Sequence, residues 1–331
     1  MATAVDSFAL LWRELCGSLS PYQEALALLG ALYAAGRALR ALRALGGALR
    51  VHAAPRLLPL LRGAPPRSLT ASHGTWAVVT GPTSGIGRAY ARELARRGLG
   101  VVLVGRDAAR LGAAAEELRR DFPVRTLEVV ADFGRGPAAY GDITRALEGM
   151  DVGVLVNNVG VMPVVPGPFL SAGEEQLWQL VNVNMAAAML MTRLLLPGML
   201  ERGRGAVVNV SSGSCLKPTP YMAAYAATKA FVESWSCSLS RECAGSGVAV
   251  QTLIPFYVAT RMTAPGRFFR RPWLFVPSAE EYARHAVSTL GVARRTTGYW
   301  PHTLQMWIAQ LMPEWLWAWF AMHINILLWK P

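Results

Sequence analysis

Short apolar runs, many of them β-branched, alternate with helix-like stretches from residue 75 onward, and this alternation restricts the fold more than any other feature of the chain. Some runs are apolar throughout, such as Val152-Gly153-Val154-Leu155-Val156, which is typical of strands covered by helices on both faces. Strands separated by helices predict βαβ units and a parallel sheet. We therefore expect one doubly wound α/β domain with strands at 75–80, 100–105, 126–131, 152–157, 205–211 and 248–254, and with helices that include 85–97, 107–121, 174–196 and 221–244.

Residues 1–72 differ in composition from this domain. No acidic residue lies between Glu24 and Glu93, while arginines recur among Ala and Leu at Arg37, Arg40, Arg43, Arg50, Arg56, Arg62 and Arg67. Amphipathic helices of this kind lie on anionic membranes or resemble mitochondrial targeting sequences. The apolar run 25–36 is shorter than the roughly 20 residues that cross a bilayer. It suits an interfacial anchor, the centre of a longer tilted segment, or a helical hairpin packed on its own domain. We predict a membrane-associating extension over 1–72, ending in a linker at 63–68, and the α/β domain over 73–300.

The C-terminal tail, 301–331, is apolar and rich in tryptophan. Six of the eleven tryptophans occur from residue 300 onward: Trp300, Trp307, Trp315, Trp317, Trp319 and Trp329. Tryptophan favours membrane interfaces because its ring is apolar while its N–H stays hydrated. Pro313 and Glu314 interrupt the tail, so an interfacial helix or a dimer contact suits it better than a spanning helix. Both ends together predict a protein held at an intracellular membrane, that of the mitochondrion rather than the endoplasmic reticulum.

The excess of basic over acidic residues limits the class of molecule that the protein could bind. The chain has 33 basic and 21 acidic residues, a formal net charge of +12, which would suit nucleic acid, an acidic membrane surface or an anionic ligand. Arginines scattered through helices, without a basic stripe interleaved with aromatics, argue against nucleic acid. The four cysteines form no CxxC pair and no cluster with His, so we predict reduced thiols in an intracellular protein and no metal site.

A glycine-rich turn follows the first predicted strand and precedes the first helix of the domain. It reads Thr80-Gly81-Pro82-Thr83-Ser84-Gly85-Ile86-Gly87. Glycines allow a tight turn and a close approach of the backbone to a pyrophosphate, whose charge the N–H groups at the start of the helix attract. We predict a dinucleotide site that includes Gly81, Ser84, Gly85, Ile86 and Gly87.

Tyr225 and Lys229 lie four residues apart in a small, apolar, helical stretch. This spacing places both side chains on one face of a helix. An ammonium group close to a phenol stabilises the phenolate and lowers the phenol pKa from about 10, which favours proton transfer near neutral pH. Taken alone, the spacing is more often that of two surface neighbours.

Three motifs in this order resemble the short-chain dehydrogenase/reductase family: TGxxxGIG at 80–87, Asn157-Asn158-Val159-Gly160, and YxxxK at 225–229. The resemblance spans roughly residues 75–300 and implies a Rossmann-like sheet and a nicotinamide cofactor. It also implies a catalytic group, in which Ser212 binds the substrate carbonyl and Tyr225 donates a proton. Lys229 would lower the Tyr225 pKa and bind the nicotinamide ribose, and Asn184 would support a water chain to Lys229.

The resemblance further implies residues that bind the cofactor. Asp132 would bond the adenine, Asn157 would steady the strand beside the cofactor, and Asn158 would contact it. Thr260, in the segment that resembles PGxxxT, would bond the nicotinamide carboxamide, with Val258 close by.

Arg106 ends the second predicted strand, where sites for NAD place a carboxylate. No acidic residue precedes Asp107 there, and a basic residue suits a 2′-phosphate. We therefore predict NADP(H), with Arg88 as a second candidate ligand of that phosphate.

Phe256 replaces the glycine of PGxxxT, a change that recurs in the hydroxysteroid and 3-ketoacyl-CoA reductase branch. The following segment, 262–276, has aromatic side chains where the family places its substrate lid: Phe268, Phe269, Trp273 and Phe275. A bulky apolar substrate is one interpretation, and a packed or membrane-facing loop is the other. We expect an NADP(H)-dependent oxidoreductase for a lipophilic ketone or alcohol. The alternative is a cofactor-binding pseudoenzyme that acts through protein partners, because branch members with Phe in place of the catalytic tyrosine are regarded as inactive. The resemblance implies that a homodimer, if one forms, would use the helices at 174–199 and 221–244, and the oligomeric state itself stays open.

Overall fold

The computed structural model describes residues 2–19, 22–62, 68–163, 166–264, 269 and 271–328. Most of the predicted linker, together with Phe268 and Trp329, lies outside these residues. The chain forms two compact units, Met1–Arg50 and Val51–Pro331.

The first unit is helical. It contains α1 (Ala2–Leu19) and α2 (Gln23–Ala48), and no residue of α2 is buried. The helical stretch Gln23–Leu57 is long and apolar enough to cross a membrane by length and composition, and none of its apolar window is buried. The structure thus contains the helical N-terminal extension that the sequence predicts, and its apolar stretch is longer than the predicted run 25–36.

The second unit holds a seven-stranded parallel sheet with helices on both faces. Its strands are β1 (Trp76–Thr80), β2 (Gly100–Gly105), β3 (Thr126–Val130), β4 (Val152–Asn157), β5 (Gly205–Val210), β6 (Val248–Leu253) and β7 (Arg295–Thr296). Its helices are α3 (Ala54–Arg62), α4 (Leu69–Ser72), α5 (Gly85–Arg96), α6 (Ala108–Asp121), α7 (Tyr140–Leu147), α8 (Glu174–Val181), α9 (Ala187–Glu201), α10 (Ala223–Glu242), α11 (Ala279–Ser288), α12 (Trp300–Leu311) and α13 (Glu314–Leu328). The predicted doubly wound α/β fold is confirmed.

The strands are arranged in the order β3-β2-β1-β4-β5-β6-β7, and all neighbours are parallel. The chain order reverses direction between β1 and β4, so their carboxyl ends flank the crevice where doubly wound sheets bind ligands. The six predicted strands match the observed ones to within a residue at each end. The sequence analysis missed β7, which has two residues that pair with Thr252 and Leu253.

One predicted helix is interrupted in the structure. The stretch expected to be helical over 174–196 consists of α8, a turn of π-helix at Asn182–Ala186, and α9, which continues to Glu201. A π-turn inserts one residue into a helix and is found mostly at functional sites.

Apolar side chains cover both faces of the sheet. On one face, Tyr90 of α5 and Tyr282 of α11 pack with Leu103. On the other face, Met191 of α9 packs with Leu155. The strands are therefore held rigidly from both sides, and so are the loops at their carboxyl ends.

The segment that begins at Val51 is joined to the C-terminal helices by two polar contacts. His52 Nε2 lies 2.8 Å from Thr303 Oγ1 on α12, and Arg56 Nη1 lies 3.1 Å from His285 Nε2 on α11.

Candidate active site

The glycine-rich turn connects β1 to α5 at the switch point of the sheet. Gly81 and Gly85 have φ values of 66° and 54°, in the left-handed region that favours glycine. A Cβ added at Gly87 would lie 2.3 Å from the Gly81 carbonyl oxygen. The turn is thus too tight for side chains at these positions, and the N–H groups at the start of α5 are available to an anion.

Asn158 and Thr80 hold this turn in place. Asn158 Nδ2 donates to the carbonyl oxygens of Thr80 (3.0 Å) and Gly81 (3.2 Å). Thr80 Oγ1 accepts from the backbone N–H groups of Asn158 and Val159, each at 3.0 Å. Asn158 therefore fixes the shape of the turn.

Asn157, the neighbouring residue, points away from the turn. Its Nδ2 donates to Asn209 Oδ1 at 2.8 Å and to Thr192 Oγ1 at 3.0 Å. It is buried and joins β4 to β5 and α9, so it steadies the sheet from beneath.

Positive charge lies at the end of β2. The side chains of Arg106 and Arg110 line the same cavity as the glycine-rich turn, and Arg110 Nη2 donates to the Thr83 carbonyl at 3.2 Å. The Asp107 carboxylate accepts the Arg110 N–H and so caps α6. The sequence analysis missed Arg110, although its position one helical turn after Arg106 was a usable signal.

Arg88 is directed elsewhere. It ion-pairs with Glu117 of α6, and it is not among the residues that line the cavity. Of the two arginines predicted to bind a 2′-phosphate, the structure places only Arg106 at the cavity.

Asp132 lies two residues after the end of β3 and lines the cavity. Its Oδ1 accepts the Gly134 N–H at 3.0 Å and so caps the helical turn that begins at Phe133. That bond fixes the side chain at the cavity wall.

Ser212, Tyr225 and Lys229 converge where β5 meets α10. Ser212 lies two residues after the end of β5, and its hydroxyl accepts the Ser214 N–H at 3.3 Å. Tyr225 and Lys229 lie one turn apart on α10, with Lys229 Nζ 5.8 Å from the centre of the Tyr225 ring. Lys229 Nζ also donates to the Val210 carbonyl at 3.0 Å. The three residues therefore share one wall of the cavity.

Asn184 reaches this group from the π-turn. Its Oδ1 accepts the Val161 N–H at 2.8 Å, and its Nδ2 donates to the Val161 carbonyl at 2.9 Å and to Thr228 Oγ1 at 3.1 Å. A Cβ at Gly160 would lie 3.4 Å from both Asn184 Oδ1 and Lys229 Nζ. Asn184 thus fixes the loop after β4, beside Lys229.

Burial governs the protonation of this group. It raises the pKa of Tyr225 to about 12, while a hydrogen bond with Ser212 acts in the opposite direction. Burial also lowers the pKa of Lys229 to about 8. The lowered Tyr225 pKa that we expected from Lys229 is not found, because burial removes hydration from the Tyr225 hydroxyl and raises its pKa, while burial also lowers the pKa of Lys229. Tyr225 is protonated at neutral pH.

Cys215 lies close to this group but has a different character. Burial, with Glu233 adding to it, raises the pKa of the Cys215 thiol to about 12. A thiol rather than a thiolate is present at neutral pH, so Cys215 is not a nucleophile here.

The segment after β6 closes the cavity above the turn. Val258 and Thr260 both line it, and a Cβ at Gly85 would lie 3.2 Å from the Thr260 side chain. The Phe256 ring, in the position where the family motif has glycine, packs against His302 and beside Gly213. Phe256 thus occupies space between the substrate side of the sheet and α12.

One cavity of about 770 Å³ joins these groups. It is lined by residues predicted to bind the cofactor together with residues predicted to be catalytic: Gly81, Ser84, Gly85, Ile86, Arg106, Asp132, Asn158, Ser212, Tyr225, Lys229, Val258 and Thr260. Gly87 and Asn184 support that lining from behind.

The rest of the cavity lining is mostly apolar, with a few polar residues such as Thr263, Gln305 and Asn325. From the predicted substrate segment 262–276, Met262, Phe269 and Trp273 take part in the lining. The sequence analysis missed the contribution of α12 and α13, because Trp-rich helices at a chain end resemble a membrane-interface segment equally well. Their lining residues are Gln305, Ile308, Ala309, Met312, Trp317, Phe320, Ala321, Ile324 and Asn325.

Comparison with known proteins supports this description. The family model described as short chain dehydrogenase matches residues 75–268. Inactive hydroxysteroid dehydrogenase-like protein 1 from Homo sapiens is 49% identical over 322 residues, which cover 97% of this chain and 96% of that protein. Very-long-chain 3-oxoacyl-CoA reductase from Anas platyrhynchos is 41% identical over 289 residues, 86% of this chain and 87% of that protein.

A solved structure agrees with the fold. The short-chain dehydrogenase from Sphingobium yanoikuyae in complex with NADPH is 32% identical, with a TM-score of 0.58 over 64% of this chain and 82% of that one. The resemblance predicted from the three sequence motifs is confirmed, and the chain belongs to the short-chain dehydrogenase/reductase family.

Proposed function

We propose that this protein is an NADP(H)-dependent oxidoreductase that transfers a hydride to or from a lipophilic ketone or alcohol of the hydroxysteroid or 3-oxoacyl type. The observation that carries the proposal is the convergence of Ser212, Tyr225 and Lys229 on the cavity that also contains the glycine-rich turn. A proton donor and an anion site in one cavity suit a nicotinamide reaction.

The residues present fit a nicotinamide dinucleotide. Side chains at Gly81 and Gly87 would collide with Asn158 and the turn itself, so the backbone is open for a pyrophosphate at the start of α5. Arg106 supports NADP(H) over NAD(H), since among the described residues it has no acidic partner and Asp107 is occupied in capping α6. When bound, the reduced nicotinamide supplies a hydride to the carbonyl carbon.

Side chains of the protein bind the carbonyl oxygen of the substrate and supply its proton. Ser212 donates a hydrogen bond to that oxygen and orients it toward Tyr225. Tyr225 is protonated at neutral pH, since burial raises its pKa to about 12, and its hydroxyl gives the oxygen its proton as the alcohol forms. Lys229 and Asn184 hold the wall of the cavity at this point.

The shape and lining of the cavity support a lipophilic substrate. Apolar side chains of Met262, Phe269 and Ile308 face the substrate half, and a volume of about 770 Å³ accommodates both a dinucleotide portion and a bulky apolar molecule.

Stopped-flow and steady-state measurements with NADPH, steroid ketones and 3-oxoacyl-CoA thioesters test the proposal. We expect turnover in the wild type and a loss of roughly 10²-fold to 10⁴-fold in Tyr225→Phe. Tyr140→Phe is the matched control, because the Tyr140 hydroxyl is also buried but lies outside the cavity. Tight NADPH binding without any Tyr225-dependent oxidation of NADPH would count against an enzyme for these substrates.

A second candidate function is a cofactor-binding pseudoenzyme that acts through protein partners. It is favoured by relatives of about 49% identity whose name includes the word inactive. The two functions differ in the assay above, since the pseudoenzyme binds NADPH and leaves it reduced with every ketone tested.

We also propose that the protein is held at an intracellular membrane, with the mitochondrion favoured over the endoplasmic reticulum. Support comes from the apolar helical stretch Gln23–Leu57, whose apolar window has no buried residue, and from the arginines that follow its first turns. Carbonate extraction of organelle fractions tests this: retention in the mitochondrial pellet is expected, and full release into the soluble fraction would contradict it. We further propose a homodimer through the helices at 174–199 and 221–244, which are α8, α9 and α10. Light scattering on the detergent-solubilised protein should give twice the protomer mass, and a monomer mass would contradict the dimer.

A further inference from the structure

Three large apolar side chains line the cavity and are at the same time about half exposed: Trp273 (44%), Ile308 (52%) and Phe320 (46%). They come from three separate segments, which are the loop after β6, α12 and α13. Side chains that belong both to a cavity wall and to the outer surface border the opening of the cavity. We call these three residues the rim. The cavity thus opens to the outside between apolar side chains.

Exposed apolar residues continue outward from the rim. On α12, Leu304 and Leu311 lie four residues before and three residues after Ile308, so all three share one face of the helix. On α13, Trp315 and Trp319 lie four residues apart and share a face in the same way. These four residues outside the rim are 39–71% exposed, and none of them lines the cavity. We call the rim and these four residues the mouth surface. Apolar surfaces of this kind mark sites where a soluble protein or a membrane binds.

Composition and charge favour a lipid membrane as the partner of the mouth surface. Three of its seven residues are tryptophans, whose ring is apolar while the N–H stays hydrated, as suits the interface of a bilayer. Arg261 and Arg271 lie on the loop that carries Trp273 and are exposed, so they can bind anionic lipid headgroups. The helices α12 and α13 contain one acidic residue, Glu314, and little negative charge therefore opposes such a surface.

We propose that the mouth surface lies on the membrane interface, so that the cavity opens toward lipid and a lipophilic substrate enters it from the bilayer without passing through water. The inference deepens the proposed function and rests on it for the nature of the substrate. The apolar stretch Gln23–Leu57 belongs to the same chain, and an anchor there raises the effective concentration of membrane at the mouth surface. A second copy of the chain bound at this surface would instead cover the opening.

Photo-crosslinking of the full-length protein to lipid tests the location of the mouth surface. The protein is reconstituted into vesicles of phosphatidylcholine and phosphatidylserine that contain a phospholipid with a diazirine on its acyl chain, and mass spectrometry identifies the labelled residues. We expect adducts on Leu311 and Trp315. These residues do not line the cavity, so a lipid bound inside the cavity would not label them. Ala113, which is exposed on α6, is the internal control and should carry no adduct.

Two results of the crosslinking would overturn the proposal. One is a set of adducts confined to Gln23–Leu57, which is the pattern expected if the mouth surface faces water or is covered by a second copy of the chain. The other is a protein that stays in solution and acquires no adducts at all.

Steady-state kinetics test the route of entry. Trp315→Gln combined with Trp319→Gln makes the mouth surface more polar and changes no residue of the cavity lining. With NADPH and a steroid ketone dissolved in the vesicles, we expect the apparent KM of this double variant to rise about tenfold while kcat is retained. In detergent solution, where no bilayer is present, the wild type and the double variant should have equal KM values for the same ketone.

Trp178→Gln is the matched control for the kinetics, because Trp178 is 59% exposed on α8 and does not line the cavity. Its KM should equal that of the wild type under both conditions. A double variant with an unchanged KM in vesicles would overturn entry from the bilayer, and so would a KM that rises equally in vesicles and in detergent.

The membrane contact and the proposed function can fail separately. Lipid adducts at Leu311 and Trp315 without any Tyr225-dependent oxidation of NADPH support the membrane contact and overturn the enzymatic function. Tyr225-dependent hydride transfer without adducts at the mouth surface overturns only the membrane contact.

Discussion

Replacement of Gly87 by alanine is expected to disable the dinucleotide site without touching a catalytic side chain. The new Cβ would lie 2.3 Å from both Asn158 Nδ2 and the Gly81 carbonyl oxygen. Carbon does not approach these atoms so closely, so the Asn158 side chain or the turn must move. Asn158 would then lose its hydrogen bonds to the Thr80 and Gly81 carbonyls, which measure 3.0 Å and 3.2 Å.

The magnitude follows from those two bonds. Each contributes about 1 kcal/mol, so the turn loses about 2 kcal/mol of support, and the affinity for NADPH is expected to fall roughly thirtyfold. Fluorescence titration with NADPH measures this loss, and thermal unfolding shows whether the protein remains folded.

Gly112→Ala provides the control. Gly112 lies on α6 with no atom within 4 Å of an added Cβ, so the substitution should leave the affinity unchanged. It should also stabilise the fold by about 0.5–1 kcal/mol through its higher helix propensity. A folded Gly87→Ala variant that binds NADPH as tightly as the wild type would refute the reasoning about the turn.

Three further predictions concern the cofactor, the buried lysine and the two asparagines. Arg106→Ala should lower the ratio of NADPH to NADH affinity about tenfold, more so at low salt, whereas Arg88→Ala should leave this ratio unchanged; titrations with both cofactors at two salt concentrations measure it. Burial lowers the pKa of Lys229 from 10.5 to about 8, so the unfolded chain binds more protons between these values and stability should rise with pH across that window. The free energy of unfolding, measured with denaturant, should rise less with pH in Lys229→Met than in the wild type. The same pH dependence in both proteins would contradict the lowered pKa of Lys229. Asn157→Ala should cost about 2–3 kcal/mol of stability with cofactor affinity retained, while Asn158→Ala should weaken NADPH binding; calorimetry and titration on both variants separate the two roles, and equal losses of affinity would refute the assignment.

The sheet and the glycine-rich turn were predictable from the sequence because local chemistry determines them. Continuous apolar strands such as Val152–Asn157 carry their own signal, and glycines between a strand and a helix indicate a tight turn. The short β7 carried no such signal, since Arg295–Thr296 owes its pairing to the neighbouring strand β6.

The remaining features depend on tertiary packing. Hydrophobic periodicity continues smoothly through the π-turn at Asn182–Ala186, so the sequence gives no sign of the inserted residue. The pKa of Tyr225 is raised mainly by burial among elements that are distant in sequence, and the spacing between Tyr225 and Lys229 does not reveal this burial. Arg88 and Arg106 each lie close to the predicted cofactor site, so the sequence does not distinguish them. In the structure Arg88 ion-pairs with Glu117 of α6, whereas Arg106 lines the cavity.

One helix, α13, presents two different surfaces. Ala321 and Ile324 line the cavity, while Trp315 and Trp319 are turned outward, 71% and 53% exposed. Truncating the chain before α13 is an obvious route to a more soluble preparation for crystallography, yet it would also remove part of the cavity wall. Polar substitutions at Trp315 and Trp319 would improve solubility and leave that wall in place, so ligand screens are best carried out on such variants rather than on truncated chains.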